Sequence, residues 1–194
     1  MEQQNIITLK QVAKHLHFVF GGVNPYVFRY WDDYKTKSID LLQCENTPSE
    51  GLISYGTLGI SGVDVGLLYE GKDLRVEFVG VSKPEQKIFP NILSTAAFEI
   101  MDHPSIEYGY VMNNIISYYL KDTTTPHLFF TDPAMWDKEL TDLEDTEKYI
   151  TFLLAVPITE KERLFLQKNG TDKLETLLEE ADADICDLYR NSVV

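Results

Sequence analysis

The sequence predicts an α+β fold in which a mixed or antiparallel β-sheet is flanked by helices. Three features carry that expectation. Two Ser/Thr-x-x-Glu/Gln boxes, at Thr8 and Thr159, each stand at the start of a helical pattern. Between Tyr26 and Ser82, short aromatic and β-branched runs alternate with Gly, Pro, Asn and Asp, the punctuation of strands. Residues 149–156 are almost wholly apolar, as in a central strand buried on both faces. No repeat, low-complexity tract or linker divides the chain, so residues 1–194 read as one domain.

The first helix follows from Thr8 and Gln11, with Leu9, Val12, Ala13, Leu16, Val19 and Phe20 at helical spacing and Gly21-Gly22 behind them. Strands are expected over 27–31, 39–45, 52–61, 64–70 and 74–81. Glu70-Gly71-Lys72-Asp73 forms a tight hairpin between the last two. Alternation in 74–78 buries Leu74, Val76 and Phe78 and leaves Arg75 and Glu77 on the other face. Pro90 opens a helix through Ile92, Leu93, Ala96, Ala97 and Ile100 that His103-Pro104 stops. Residues 110–120 fit helix or strand, and 127–131 fit a strand. Trp136 introduces an acidic stretch, 137–147, without an apolar stripe, which reads as an exposed loop. Thr159 and Glu162 begin a helix ending at Asn169-Gly170. A last helix carries Leu174, Leu177, Leu178, Ala181, Ile185 and Leu188 on one stripe, with Glu175, Glu179, Asp182 and Asp184 mostly off it.

The composition is that of a folded soluble protein, 44% hydrophobic and 25% charged. Residues 1–5 have neither the basic nor the apolar part of a secretory signal, so a cytoplasmic location is expected and no membrane association. The two cysteines, Cys44 and Cys186, then read as reduced thiols. The formal charge is −14, and it is uneven: residues 132–187 hold 16 acidic against 6 basic side chains. Direct nucleic-acid binding is disfavoured by such a surface, because phosphates are repelled. A basic protein is a fitting partner.

The chemistry-bearing residues form no catalytic or metal pattern. His15 and His17 lie two apart and point to different helix faces, while His103 and His127 stand in separate segments. Ser61 lacks the glycine two residues on that a nucleophile elbow needs, since position 63 is Val. Gly56, Gly59 and Gly62 have no Gly-Lys-Ser/Thr and read as a strand end where backbone turns or packs closely. With 31 carboxylates, chance proximity of two acids says little about acid–base catalysis. No cofactor, metal or catalytic residue is therefore assigned, and a non-enzymatic role is expected.

Four segments, in order, resemble the Suppressor-of-fused-like domain family. They are Ile53-Ser54-Tyr55-Gly56-Thr57-Leu58-Gly59-Ile60-Ser61, Leu74-Arg75-Val76-Glu77-Phe78, residues 152–163, and residues 184–192 with Arg190. The chain looks most like the family's short bacterial members, which are encoded beside polymorphic toxins and act as immunity proteins. The resemblance implies a mixed sheet flanked by helices that works by binding a cognate protein, here a toxin and often a nuclease. The animal members' transcription-factor ligand is not carried over, because their additional C-terminal region is missing from a chain of this length. Joined to the acidic composition, the resemblance implies an antitoxin that occludes a basic toxin domain. Asp137, Glu139, Asp142, Glu144, Asp145 and Glu147 are the expected contributors. An adaptor unrelated to toxins, or a hydrolase with an unrecognised carboxylate site, are the alternatives.

Overall fold

The computed structural model describes residues 6–194; the reading of residues 1–5 as lacking an export signal lies outside them. A nine-stranded mixed sheet carries the fold, with main strand order β1-β2-β3-β5-β9-β7-β6. The strands are β1 (Val23–Trp31), β2 (Ser38–Glu45), β3 (Ile53–Leu58), β4 (Leu67–Tyr69), β5 (Lys72–Ser82), β6 (Val111–Met112), β7 (His127–Thr131), β8 (Leu143–Glu144) and β9 (Lys148–Ile158). β4 pairs with β5, β8 pairs with β9, and among the described residues only the central β5–β9 pairing is parallel.

Five helices are described: α1 (Leu9–Phe20), α2 (Phe89–Asp102), α3 (Ile115–Tyr119), α4 (Glu160–Asn169) and α5 (Thr171–Glu180). They divide between the two sheet faces. Ile92, Leu93, Ala96, Ala97 and Ile100 of α2 pack with Ile115 and Ile116 of α3 over Leu41, Val76, Phe78, Phe130 and Leu153. On the other face Val12, Leu16, Val19 and Phe20 of α1, with Leu174 and Leu178 of α5, cover Leu42, Val79, Phe129, Phe152 and Leu154. Side chains alternate across a strand, so β5 and β9 feed both cores. Phe78, Phe129, Phe130 and Phe152 are each at most 1% exposed, and burying one such side chain stabilises by roughly 1.5–3 kcal/mol. α1 can lie this close because β3 presents Gly56 to it: a Cβ there would stand 2.6 Å from a Leu16 methyl carbon.

Both expected capping boxes form. Thr8 accepts from the Gln11 N–H, and Thr159 from the Glu162 N–H, while the Gln11 and Glu162 side chains return to the capping backbone. Glu70 and Gly71 both take positive φ, the two-residue hairpin turn that matches strand twist. Residues 110–120 contain both candidates in succession, β6 and then α3.

Two expectations need correction. The last helix ends at Glu180 and does not reach Ile185 or Leu188. Asp182 enters the left-handed region at φ 45°, the Ala183 N–H donates to the Leu178 carbonyl, and the Asp182 N–H donates to that of Glu179. This is a complete Schellman stop made without glycine. Glu77, on the face of β5 opposite Val76 and Phe78, is wholly buried as well. Its carboxylate fills the gap where β3 parts from β5, accepting from the hydroxyls of Thr57 (2.6 Å) and Ser61 (2.7 Å) and from the Gly59, Ile60 and Ser61 N–H groups. The acidic stretch after Trp136 is not simply an exposed loop. Trp136 stacks on Phe20 at 4.7 Å and donates to the Ser54 hydroxyl, Leu140 is buried, and 143–144 form β8.

The tail beyond α5 is held by one buried ion pair. Glu162 is fully buried and meets Arg190 through two parallel bonds of 2.6 and 2.8 Å. Arg190 also donates to the Pro157 carbonyl at the end of β9, and the Val193 N–H donates to Glu162. Burial pushes the Glu162 carboxyl up, but Arg190 and the backbone donors outweigh it and hold it below its ordinary value. A Glu162 pKa lower in the folded than in the unfolded chain contributes stability above the unfolded value and loses it as the pH falls through the folded one. Replacing Arg190 by Met should cost about 3–5 kcal/mol at neutral pH, because a buried carboxylate is left unpaired. In denaturant unfolding, the gap between wild type and R190M should narrow as the medium is acidified through the lowered Glu162 value. A pH-independent gap would contradict this account.

Candidate partner-binding surface

The segment joining β7 to β9 crosses the α1 side of the sheet, pinned by side chains of opposite character. Trp136 and Leu140 face inward. The Lys138 ammonium donates to the Phe18 carbonyl and stands over its ring, and the His15 ring bonds the Thr141 carbonyl at 2.8 Å. The six acids expected to contact a partner therefore differ in availability. Asp137, Glu139, Asp142 and Glu147 are exposed. Glu144 is paired with Lys72 at 2.5 Å. Asp145 is buried and accepts from the Ile7, Glu147 and Lys148 N–H groups, so it shapes the turn before β9.

Asp142 approaches a second group of acids that lie far from it in the sequence. Between the start of this segment and α5 runs a cleft of about 400 Å³, floored by Phe129, Leu154, Val156 and Leu178 and rimmed by Asp132, Glu175, Glu179 and Asp182. Burial pushes the Asp132 carboxyl above its ordinary value, and the charges acting on it, those of Glu175 and Asp142, push the same way. Glu175 accepts from the Tyr108 phenol at 2.6 Å and from the Thr131 hydroxyl. Burial, then that bond, raise the phenol in turn. The fold thus gathers like charges over an apolar floor, an arrangement that a bound cation stabilises and that costs energy while empty. The sequence showed these charges on α5 only as lying off its apolar stripe: Glu175 and Glu179 stand one helical turn apart, and Asp182 reaches the rim from the turn after the helix. Asp132 carried no such signal, because β7 and α5 meet only in three dimensions. A broader trough of about 1020 Å³ lies across the outer surface of α2.

The remaining chemistry-bearing residues are engaged in the fold. Ser61 is buried and donates to Glu77. His127 is buried, accepts the Asn114 N–H at Nδ1 and bonds Glu160 through Nε2 at 2.7 Å, while burial lowers its pKa. His15 packs on Phe152. Both cysteines are free and buried; burial pushes the Cys44 thiol up to about 11 and the Cys186 thiol to about 12. Among the described residues, no group of three or more His, Cys, Asp or Glu is placed to hold a metal ion. None of the described helices is long and apolar enough to cross a membrane.

Comparison with known proteins places this architecture. The chain is 39% identical over 186 residues to the immunity protein YqcF of Bacillus subtilis (strain 168), covering 95% of this chain and 96% of that one. Its fold matches the crystal structure of a Suppressor of fused homologue from Neisseria gonorrhoeae FA 1090 with a TM-score of 0.75 at 22% identity, across 95% and 96% of the two chains. Drosophila Suppressor of Fused matches with a TM-score of 0.66 at 13% identity; 95% of this chain corresponds to 51% of that larger one. The family description "Suppressor of fused protein (SUFU)" fits residues 35–191, which take in the first three segments that carried the resemblance and all but the last residue of the fourth. The chain belongs to the Suppressor of fused protein (SUFU) family.

Proposed function

We propose that this protein is a cytoplasmic immunity protein that neutralises a cognate toxin, a basic nuclease domain, by binding it stoichiometrically and covering its working surface. The observation that carries this reading is the acid-rimmed cleft. Asp132 is held close enough to Glu175 and Asp142 that both their charges add to burial in raising its proton affinity. A nuclease holds phosphates with Lys and Arg, and those side chains would relieve this repulsion on docking. Asp137, Glu139 and Glu147, exposed on the same segment, extend the negative field that steers encounter. The relationship to an immunity protein over nearly the whole of both chains supports the same reading.

A hydrolase reading fits the cleft less well. It would need one ionised and one protonated carboxyl both turned to a substrate, whereas Glu175 is occupied by the Tyr108 and Thr131 hydroxyls. Turnover separates the two readings: an occluding protein protects only when present at least mole for mole with the toxin, and protection by a small fraction of an equivalent would end the proposal.

Two further outcomes are expected. Glu175→Gln should bring the Asp132 pKa down toward its ordinary value in a carboxyl-carbon NMR titration, because a like charge has been removed. The combined variant D132N/D142N/E179Q/D182N should slow association with the toxin encoded beside this gene by about tenfold or more at low salt and flatten the salt dependence. Asn at 182 retains tolerance of the left-handed backbone. An unchanged association rate, or a toxin that stays active in the presence of excess protein, would contradict the proposal.

A further inference from the structure

β1 is one end of the sheet order: β2 occupies one side, and no described strand pairs with the other. From Tyr26 to Trp31 its register against β2 runs unbroken, Tyr26 facing Gln43 and Trp31 facing Ser38. An antiparallel edge of this kind directs alternate N–H and C=O groups outward. Every residue of the strand except Tyr30 is exposed. Tyr26, Val27, Phe28 and Trp31 are 60, 47, 41 and 53% exposed. The Tyr26 and Phe28 rings lie 4.5 Å apart on one face, which continues into Tyr30 at the margin of the α2-side core. Arg29, the one charge on this stretch, is closed off by Asp40 through bonds of 2.7 and 2.9 Å. The features that usually protect an edge, a proline and a register irregularity, sit only at the beginning, at Pro25 and between Val23 and Tyr26.

The strand leads into the trough over α2, where Tyr30, Trp31 and Tyr34 form the near wall and Asp33 and Glu99 stand exposed. Asp102, also at this trough, is paired with Lys37, and no Lys or Arg is among the described lining residues. Aromatic faces beside free carboxylates suit cationic side chains with apolar stems. A second copy suits them poorly, since each chain carries a formal −14.

Resting on the immunity reading, we propose that the edge at 26–31 receives an extended Lys- or Arg-rich segment of the toxin as an added strand. Main-chain bonds to β1 would hold the segment, the Tyr26–Phe28–Tyr30 face would clasp its alternate side chains, and the acids of the trough would take its cations. β1 and the β7–α5 cleft lie toward opposite ends of the strand order. The trough beside β1 and the cleft share no lining residue, so the added strand and the group at the cleft are separate contacts.

The test is amide hydrogen exchange on the complex of this protein with the toxin encoded beside its gene. Exchange at 26–31 should slow at least tenfold on binding. The variant Y26K/F28K, whose exposed positions leave the melting temperature near wild type, should weaken the complex at least tenfold, while Y26T/F28T, which keeps strand propensity without adding charge, should weaken it less. A stable complex with unchanged exchange at 26–31 and no effect of Y26K/F28K would overturn the proposal and leave the immunity reading standing. Absence of any complex would overturn both. Sedimentation showing that β1 mediates a homodimer would also overturn it.

Discussion

The buried pair between Glu162 and Arg190 is the constraint from which the C-terminal half takes its form. Glu162 serves three partners at once: the amide of its own helix cap, the guanidinium of the tail, and the Val193 N–H. Arg190 bridges that carboxylate to the last turn of the central strand through Pro157. Strand end, helix start and chain terminus are fixed relative to one another by groups that cannot be satisfied separately in a medium without water. Glu77 does the corresponding work on the other side of β5, closing the glycine-rich turn after β3 with five donors.

These two carboxylates explain why the family likeness was concentrated in four short segments. Glu77 joins the 53–61 segment to the 74–78 segment, and the Glu162–Arg190 pair joins 152–163 to 184–192. What makes the chain recognisable is therefore its internal wiring. The acid-rimmed cleft and the aromatic edge lie outside most of that wiring, on surfaces where a side chain can change without leaving a buried charge unpaired.

Much of the fold was legible wherever a local signal coincided with the final structure. Thr8 and Thr159 marked helix starts because a capping box acts within four residues. The apolar run in β9 marked the centre of the sheet because β5 and β7 flank it and helices cover both faces. The misread positions were those where a distant partner decided the outcome. Alternation put Glu77 on one face of its strand but could not show what satisfies it there, because its donors come from a turn some twenty positions earlier. Asp182 stopped α5 without the glycine that announces such a stop. The acids of 137–147 looked equivalent in the sequence, yet Lys72 claims Glu144 and three backbone amides claim Asp145. The cleft was not legible: the charges of α5 showed only as lying off its apolar stripe, and Asp132 needed the approach of β7 to α5.

The left-handed turn at Asp182 has a wider consequence. By reversing the chain there it starts the tail on the path that brings Arg190 beneath the sheet, and it sets its own carboxylate on the rim of the cleft. Backbone geometry and surface charge are thus vested in a single side chain. Glycine or asparagine would preserve the reversal and forfeit the charge, whereas glutamate would keep the charge at a conformation it tolerates poorly. Aspartate is the one residue that reconciles both demands, which makes this position serve the chain path and the surface potential together.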